Sequence, residues 1–143
     1  MLKLYYSKGV CSLAVRITLH ELNINCAYES VNLKTKHTET GMDYLTINPK
    51  GSVPALLLNN NEILTENAVI LQYLADTFEP LKFLPPMGNI NRYRASWLAK
   101  LNFNMKDFPN LLRYFFDMKK RRSVIQALEE EGLEKLYFPS NET

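Results

Sequence analysis

The stretch Val53-Pro54-Ala55-Leu56-Leu57-Leu58-Asn59-Asn60-Asn61-Glu62-Ile63-Leu64-Thr65-Glu66 decides the architecture. Two short apolar runs, Val53–Leu58 and Glu62–Leu64, flank three asparagines. Asn tolerates the left-handed backbone of a tight turn, so the pair reads as an antiparallel hairpin. Pro54 suits the opening of a strand, where its missing N–H breaks no ladder bond. Thr65 is placed to cap a helix running from Glu66 to about Thr77.

Toward the amino terminus, Leu2–Tyr6 is an apolar and aromatic run with strand character. Ser7-Lys8-Gly9 interrupts it, and Leu13–Leu22 then reads as a mostly apolar helix with Ser12 as its N-cap. Asn23-Ile24-Asn25 ends that helix and Ala27–Leu33 is extended again. A helical crossover between two strands makes them parallel. Lys34–Gly41 is a polar connection, and Asp43–Ile47 forms one helical turn before Asn48-Pro49-Lys50-Gly51. The resulting order, βαβαββα, is a small mixed sheet covered by helices, an α/β fold.

Toward the carboxyl terminus, Glu79-Pro80 through Pro85-Pro86-Met87-Gly88 reads as a linker. Beyond it, Asn89–Asn104, Asp107–Lys119 and Ser123–Glu131 read as helices. The last carries the capping box Ser123-x-x-Gln126, with Gly132 at the C′ position. The chain therefore divides into an α/β domain at 1–78, a linker at 79–88 and an all-helical region at 89–143. That last region is too short for a large core of its own, and Phe138–Thr143 is expected to fray.

Composition removes several classes of function. The chain has 143 residues, 46% hydrophobic and 22% charged, an ordinary globular balance. A chain of this length buries roughly 70% of its unfolded surface and needs no disulfide or metal to fold. The net charge of +2 is too small to imply a nucleic-acid partner. No apolar run is long enough for a membrane span, and Met1–Tyr6 does not open a signal peptide. Cys11 and Cys26 are the only cysteines, which fits a reducing cytoplasm. Two histidines and no Cys-x-x-Cys pair leave no structural zinc site.

Three places could carry chemistry. Cys11 follows a glycine-containing turn at the start of a helix, where a helix dipole favours thiolate. The plain alternative is a small buried hydrophobe, the usual state of a lone cysteine and the expected one for Cys26. Ser52-Val53-Pro54 is the second place. A cis bond before Pro54 would turn the Val53 backbone toward a ligand lying extended beside it, whereas a trans bond leaves a plain strand entry. Third, the N–H groups opening the helix at Glu66-Asn67 attract a carboxylate, and Glu66 could hold an ammonium group. The alternative there is an ordinary cap with a dipole-favoured acid. The basic run Lys119-Lys120-Arg121-Arg122 lacks interleaved aromatics and reads as a solvated helix end.

Taken together, these stretches resemble bacterial beta-class glutathione transferases. The resemblance is carried by Tyr5-Tyr6…Gly9-Val10-Cys11-Ser12, by Asn48-Pro49-Lys50-Gly51-Ser52-Val53-Pro54-Ala55-Leu56 and by Leu64-Thr65-Glu66-Asn67…Tyr73-Leu74-Ala75-Asp76. It continues through Asn91-Arg92-Tyr93-Arg94, in the family's order and spacing. It implies a thioredoxin-like amino-terminal domain followed by a truncated all-helical carboxyl-terminal region. It also implies a role for each position. Cys11 would face the sulfur of glutathione and could form a mixed disulfide with it, and Lys36 would approach the glycyl carboxylate. Val53, ahead of a cis Pro54, would pair with the cysteinyl backbone. Glu66 and Asn67 would hold the γ-glutamyl end, with Asn67 standing where the family usually has a small residue.

The same resemblance implies an internal deletion near Asn104-Met105, because family members follow the linker with several more long helices. The histidine they place near the glutathione thiol falls in the missing stretch, and neither His20 nor His37 matches it. The implied activity is conjugation of glutathione to electrophiles, or thiol exchange with disulfides, through Cys11. Glutathione is the implied co-substrate, with no metal, and the family's habit implies a homodimer. The alternatives are a noncatalytic glutathione-binding or dimerising remnant and a glutaredoxin-like reductase.

Overall fold

The computed structural model describes residues 1–78, 88–90 and 120–133. The helices read over Asn89–Asn104 and Asp107–Lys119, most of the linker and the tail fall outside these residues, except for positions 88–90.

Strand alternation sets the layers. In β1 (Leu2–Tyr6), Leu2, Leu4 and Tyr6 join one apolar cluster while Tyr5 joins another, as expected when successive side chains point to opposite faces. Helix α1 (Ser12–Glu21) carries the chain across to β2 (Cys26–Asn32), which runs parallel to β1 with Leu2 opposite Cys26 and Tyr6 opposite Ser30. A two-residue β3 (His37–Thr38) pairs antiparallel at the edge of β2. A 3-10 turn at Tyr44–Thr46 leads into β4 (Ala55–Leu57) and β5 (Ile63–Thr65), then into α2 (Asn67–Phe78). The sheet order is β3-β2-β1-β4-β5, with β4 antiparallel to both of its neighbours. This is the thioredoxin-like arrangement expected, with the asparagine turn joining the two hairpin strands. Asn61 takes the left-handed conformation there, at φ 66°.

Local differences have physical causes. The polar run after β2 hides β3, because a strand of two residues, His37 exposed and Thr38 buried but polar, has no apolar alternation to betray it. Ser12 is not the cap of α1. Cys11 occupies that position, and the Ser12 hydroxyl donates to Ser7 O at 3.0 Å and accepts from Ser7 N–H at 3.3 Å, closing the turn before the helix. Helix α2 begins at Asn67 rather than Glu66, and Glu66 stands outside it with φ 72°.

The last described helix, α3 (Arg122–Glu131), packs on α1. Val124, Ala127 and Leu128 are buried, and Gly132 ends the helix at φ 66° with its N–H on Glu129 O. Ser123 lies inside the helix and does not form the expected capping box. Its hydroxyl donates to Glu21 on α1, while Gln126 donates to Glu130. The described part of the basic run sits at the amino end of α3. Glu21 offsets Arg121 there, at 3.3 Å.

Candidate active site

The turn leading into α1 and the turn leading into β4 meet at a sulfur. Cys11 is an exposed free thiol whose Sγ donates to the carbonyl of Val53 at 3.2 Å. The Val53–Pro54 peptide bond is cis. Val53 precedes β4, so its carbonyl takes the thiol instead of a strand partner. Cys26, by contrast, is buried in the core, and burial pushes its thiol up to about 11, as expected of an inert structural cysteine.

The Ser52 carbonyl, one residue earlier, is held twice. The Tyr44 hydroxyl and the Asn48 side-chain amide each donate to it at 2.8 Å, and both side chains are almost wholly buried. Burial raises the Tyr44 phenol above its ordinary value, which keeps it a donor. Neither residue was singled out from sequence. The signal available was a tyrosine and an asparagine just ahead of the turn Pro49-Lys50-Gly51.

Lys36 and Gly51 form the next wall. The Lys36 backbone is left-handed, at φ 59°, and its Nζ donates to Gly51 O at 2.8 Å. Glycine suits position 51: φ is +60°, and an added Cβ would crowd the Leu45 and Lys36 side chains, at 3.1 Å and 3.2 Å. An ammonium has three donors, so a Lys36 bonded to one carbonyl keeps two for a ligand.

Glu66 extends from the entrance of α2 in a conformation rare for a side-chain-bearing residue. Lys50 Nζ lies 3.0 Å from its carboxylate, and both side chains are largely solvent-exposed, so the pair is weak. The Asn67 side-chain oxygen is buried with no hydrogen-bond partner among the described residues. Thus Cys11, Val53 and Pro54 come together directly, Lys36 borders them through Gly51, and Glu66 and Asn67 stand together at the start of α2. The histidines are engaged elsewhere. His20 lies 3.1 Å from Glu130 and stacks on Tyr28, and His37 Nδ1 lies 2.7 Å from Thr35 O. Among the described residues, no group of three or more His, Cys, Asp or Glu could hold a metal, and no helix could cross a membrane.

A helix-start thiol opposite the carbonyl before a cis proline, on a βαβ–hairpin–α sheet, defines a thioredoxin-like protein with a single exposed cysteine. Comparison with known proteins narrows the class. Residues 10–77 match the family described as glutathione S-transferase, N-terminal domain. The glutathione S-transferase GstA of Escherichia coli O157:H7 is 47% identical over 132 residues, covering 91% of this chain and 66% of its own. A beta-class glutathione S-transferase from Sphingomonas chungbukensis superposes with a TM-score of 0.78 at 29% identity, over 92% of this chain and 99% of its own. A sphingomonad glutathione S-transferase solved in complex with glutathione gives 0.77 at 28%, over 92% and 99%. The chain belongs to the glutathione S-transferase family. It spans about two thirds of the length of the E. coli relative.

Proposed function

We propose that this chain binds glutathione as its co-substrate in extended form across Val53 and uses Cys11 to exchange thiols with it or to assist its conjugation to electrophiles. The observation that carries this reading is the Cys11–Val53 contact, because it sets the only exposed thiol against the backbone edge where a peptide would lie. Val53 pairs with the cysteinyl backbone as an added strand does, and the cis Pro54 follows it. Lys36 takes the glycyl carboxylate. Glu66 exchanges its loose pairing with Lys50 for the γ-glutamyl ammonium, and Asn67 offers its backbone N–H at the helix start. The complex thus fixes glutathione at both ends with its sulfur beside Cys11.

In the exchange reaction the Cys11 thiolate attacks one sulfur of a glutathione disulfide. The new Cys11–glutathione bond forms as the old S–S bond breaks, and the departing glutathione thiolate takes up a proton. In conjugation the glutathione thiolate attacks an electrophilic carbon, the leaving group departs with its bonding pair, and the thiol proton passes to solvent.

The internal deletion that the family resemblance implies near Asn104-Met105 removes the stretch that carries the family's histidine near the glutathione thiol, which favours exchange as the main chemistry. A homodimer in a reducing cytoplasm completes the reading. Membership of a transferase family with these site residues favours turnover over a noncatalytic remnant. Mass spectrometry after exposure to glutathione disulfide tests it: the reading expects one glutathione adduct on Cys11 and none in Cys11→Ser. Adducts on Cys26 alone, or none, contradict it.

A further inference from the structure

The turn that presents Cys11 is held by a residue far away in sequence. Gly9 N–H donates to Glu131 Oε2 on α3 at 2.9 Å. Gly9 is left-handed at φ 68°, and the Leu133 methyls lie over it, within 3.8 Å of where a Cβ would stand. On its inner side the same turn is closed by the Ser7–Ser12 pair.

Glu131 is an unusual acid. It is 1% exposed and occupies the apolar stripe of α3 with Val124, Ala127 and Leu128. Burial raises its carboxyl above the ordinary value, against the Gly9 N–H and the Arg16 charge, which favour ionisation. Arg16 is itself 2% exposed, stacked with its guanidinium 4.1 Å from the Tyr6 ring centre and 4.3 Å from that of Tyr28. Its Nη1 pairs with Glu130 at 3.1 Å and its Nε lies 3.4 Å from Glu131 Oε1. The latter is a charge contact without hydrogen-bond geometry. A carboxylate is costly to bury, and a neutral side chain would fill this stripe at lower cost. What the acid adds is an oxygen aimed at the backbone two residues before the thiol.

We propose that Glu131, braced by Arg16, is a positioning residue that holds the Gly9 turn and thereby sets Cys11 against Val53. The proposal rests on the reading of Cys11 as the reacting thiol. It makes α3 part of the site although no α3 side chain in it needs to touch glutathione.

Two substitutions separate reach from charge. Glu131→Asp keeps the charge beside Arg16 but withdraws the oxygen from Gly9, and Glu131→Gln keeps the reach and an acceptor oxygen but removes the charge. The quantity to read is the rate of Cys11 mixed-disulfide formation with glutathione disulfide divided by that with hydroxyethyl disulfide, which has no peptide to align. The ratio is expected to fall about tenfold in Glu131→Asp and to stay within about twofold in Glu131→Gln, as in the control Glu130→Gln. An unchanged ratio in a folded Glu131→Asp overturns the proposal, as does an equal loss in Glu130→Gln. If the unaltered protein shows no preference for glutathione disulfide, the functional reading fails. Hydrogen exchange at the Gly9 amide then still decides the tether: it must accelerate about tenfold in Glu131→Asp and not in Glu131→Gln.

Discussion

One face of the sheet buries Leu2, Leu4, Tyr6 and Leu56 beneath α1 and α2, with Val15, Leu19, Ile70 and Leu74 completing the layer. The other buries Tyr5, Val31, Val53 and Ala55 with Tyr44, covered among the described residues by turns and loops such as those holding Val10, Leu33 and Ile47. The first face is apolar and close-packed. The second is held largely by polar bonds: Tyr44 and Asn48 to Ser52, Lys36 to Gly51, and Thr40 to Glu29. Most of the candidate site residues belong to the loops of the second face or to the helix starts beside it. The difference teaches that stability and ligand placement draw on different residues, and substitutions can pull the two apart.

The largest effect is expected on the helical face. Leu19 is fully buried, and Leu19→Ala should cost about 2–5 kcal/mol in urea unfolding. Glutathione affinity of the folded fraction should stay within about twofold, since no candidate site residue packs on Leu19. A large loss of affinity would erase the distinction between the faces.

Tyr44→Phe should show the opposite profile. It keeps the ring against Tyr5, whose centroid lies 5.8 Å away, and removes one of the two donors to Ser52 O. The expected stability cost is about 1 kcal/mol, with Asn48 still in place. Glutathione affinity should fall about three- to tenfold, because the Ser52–Val53 backbone loses half of its restraint. Equal losses from Leu19→Ala and Tyr44→Phe in both measurements would contradict the comparison.

The smallest effect concerns acid. Glu29 lies buried on the second face, with Lys3 at 3.0 Å and the Thr40 hydroxyl donating to it. Burial pushes its carboxyl up, but the Thr40, Thr38 and Lys3 hydrogen bonds outweigh this and hold it below the ordinary 4.5. Folded Glu29 therefore binds its proton less readily than the unfolded chain does. Its contribution is in place above 4.5 and is lost as pH falls through its lowered folded value. Glu131, whose carboxyl is raised, acts in the opposite sense, and its share declines as pH rises through its folded value. Urea midpoints taken from about pH 6 to about pH 3 should fall less steeply in Glu29→Gln than in the unaltered protein. A steeper fall would mean that the polar face does not hold this charge.

Much of this was legible in sequence because the signals were local. Short apolar runs between polar breakers gave away β1, β2 and the hairpin with its asparagine turn, and a mostly apolar stretch and a capping threonine gave away α1 and α2. Cys11, Val53 and Pro54 stand in turns adjacent to those elements, so placing the elements placed the residues. Glu66 was read as the first helical residue, and its left-handed backbone left no mark, since nothing in its residue type requires one. The Arg16–Glu131 clamp joins α1 to α3, and no local pattern specifies such a pairing. A trace was nonetheless present. Arg16 falls on the stripe of Ser12, Val15 and Leu19, and Glu131 on that of Val124, Ala127 and Leu128. A charge on an apolar stripe calls for a partner, and opposite charges on two such stripes suggest each other.

The central claim is that Lys36, Val53 and Glu66 form a working binding site for glutathione. Calorimetric titration of the reduced protein with reduced glutathione tests it most directly, with Lys36→Ala and Glu66→Ala alongside. The account predicts saturable binding at one site per chain, weakened about tenfold, or 1.4 kcal/mol, by each substitution. No saturable heat up to millimolar glutathione, or binding that neither substitution alters, would contradict it.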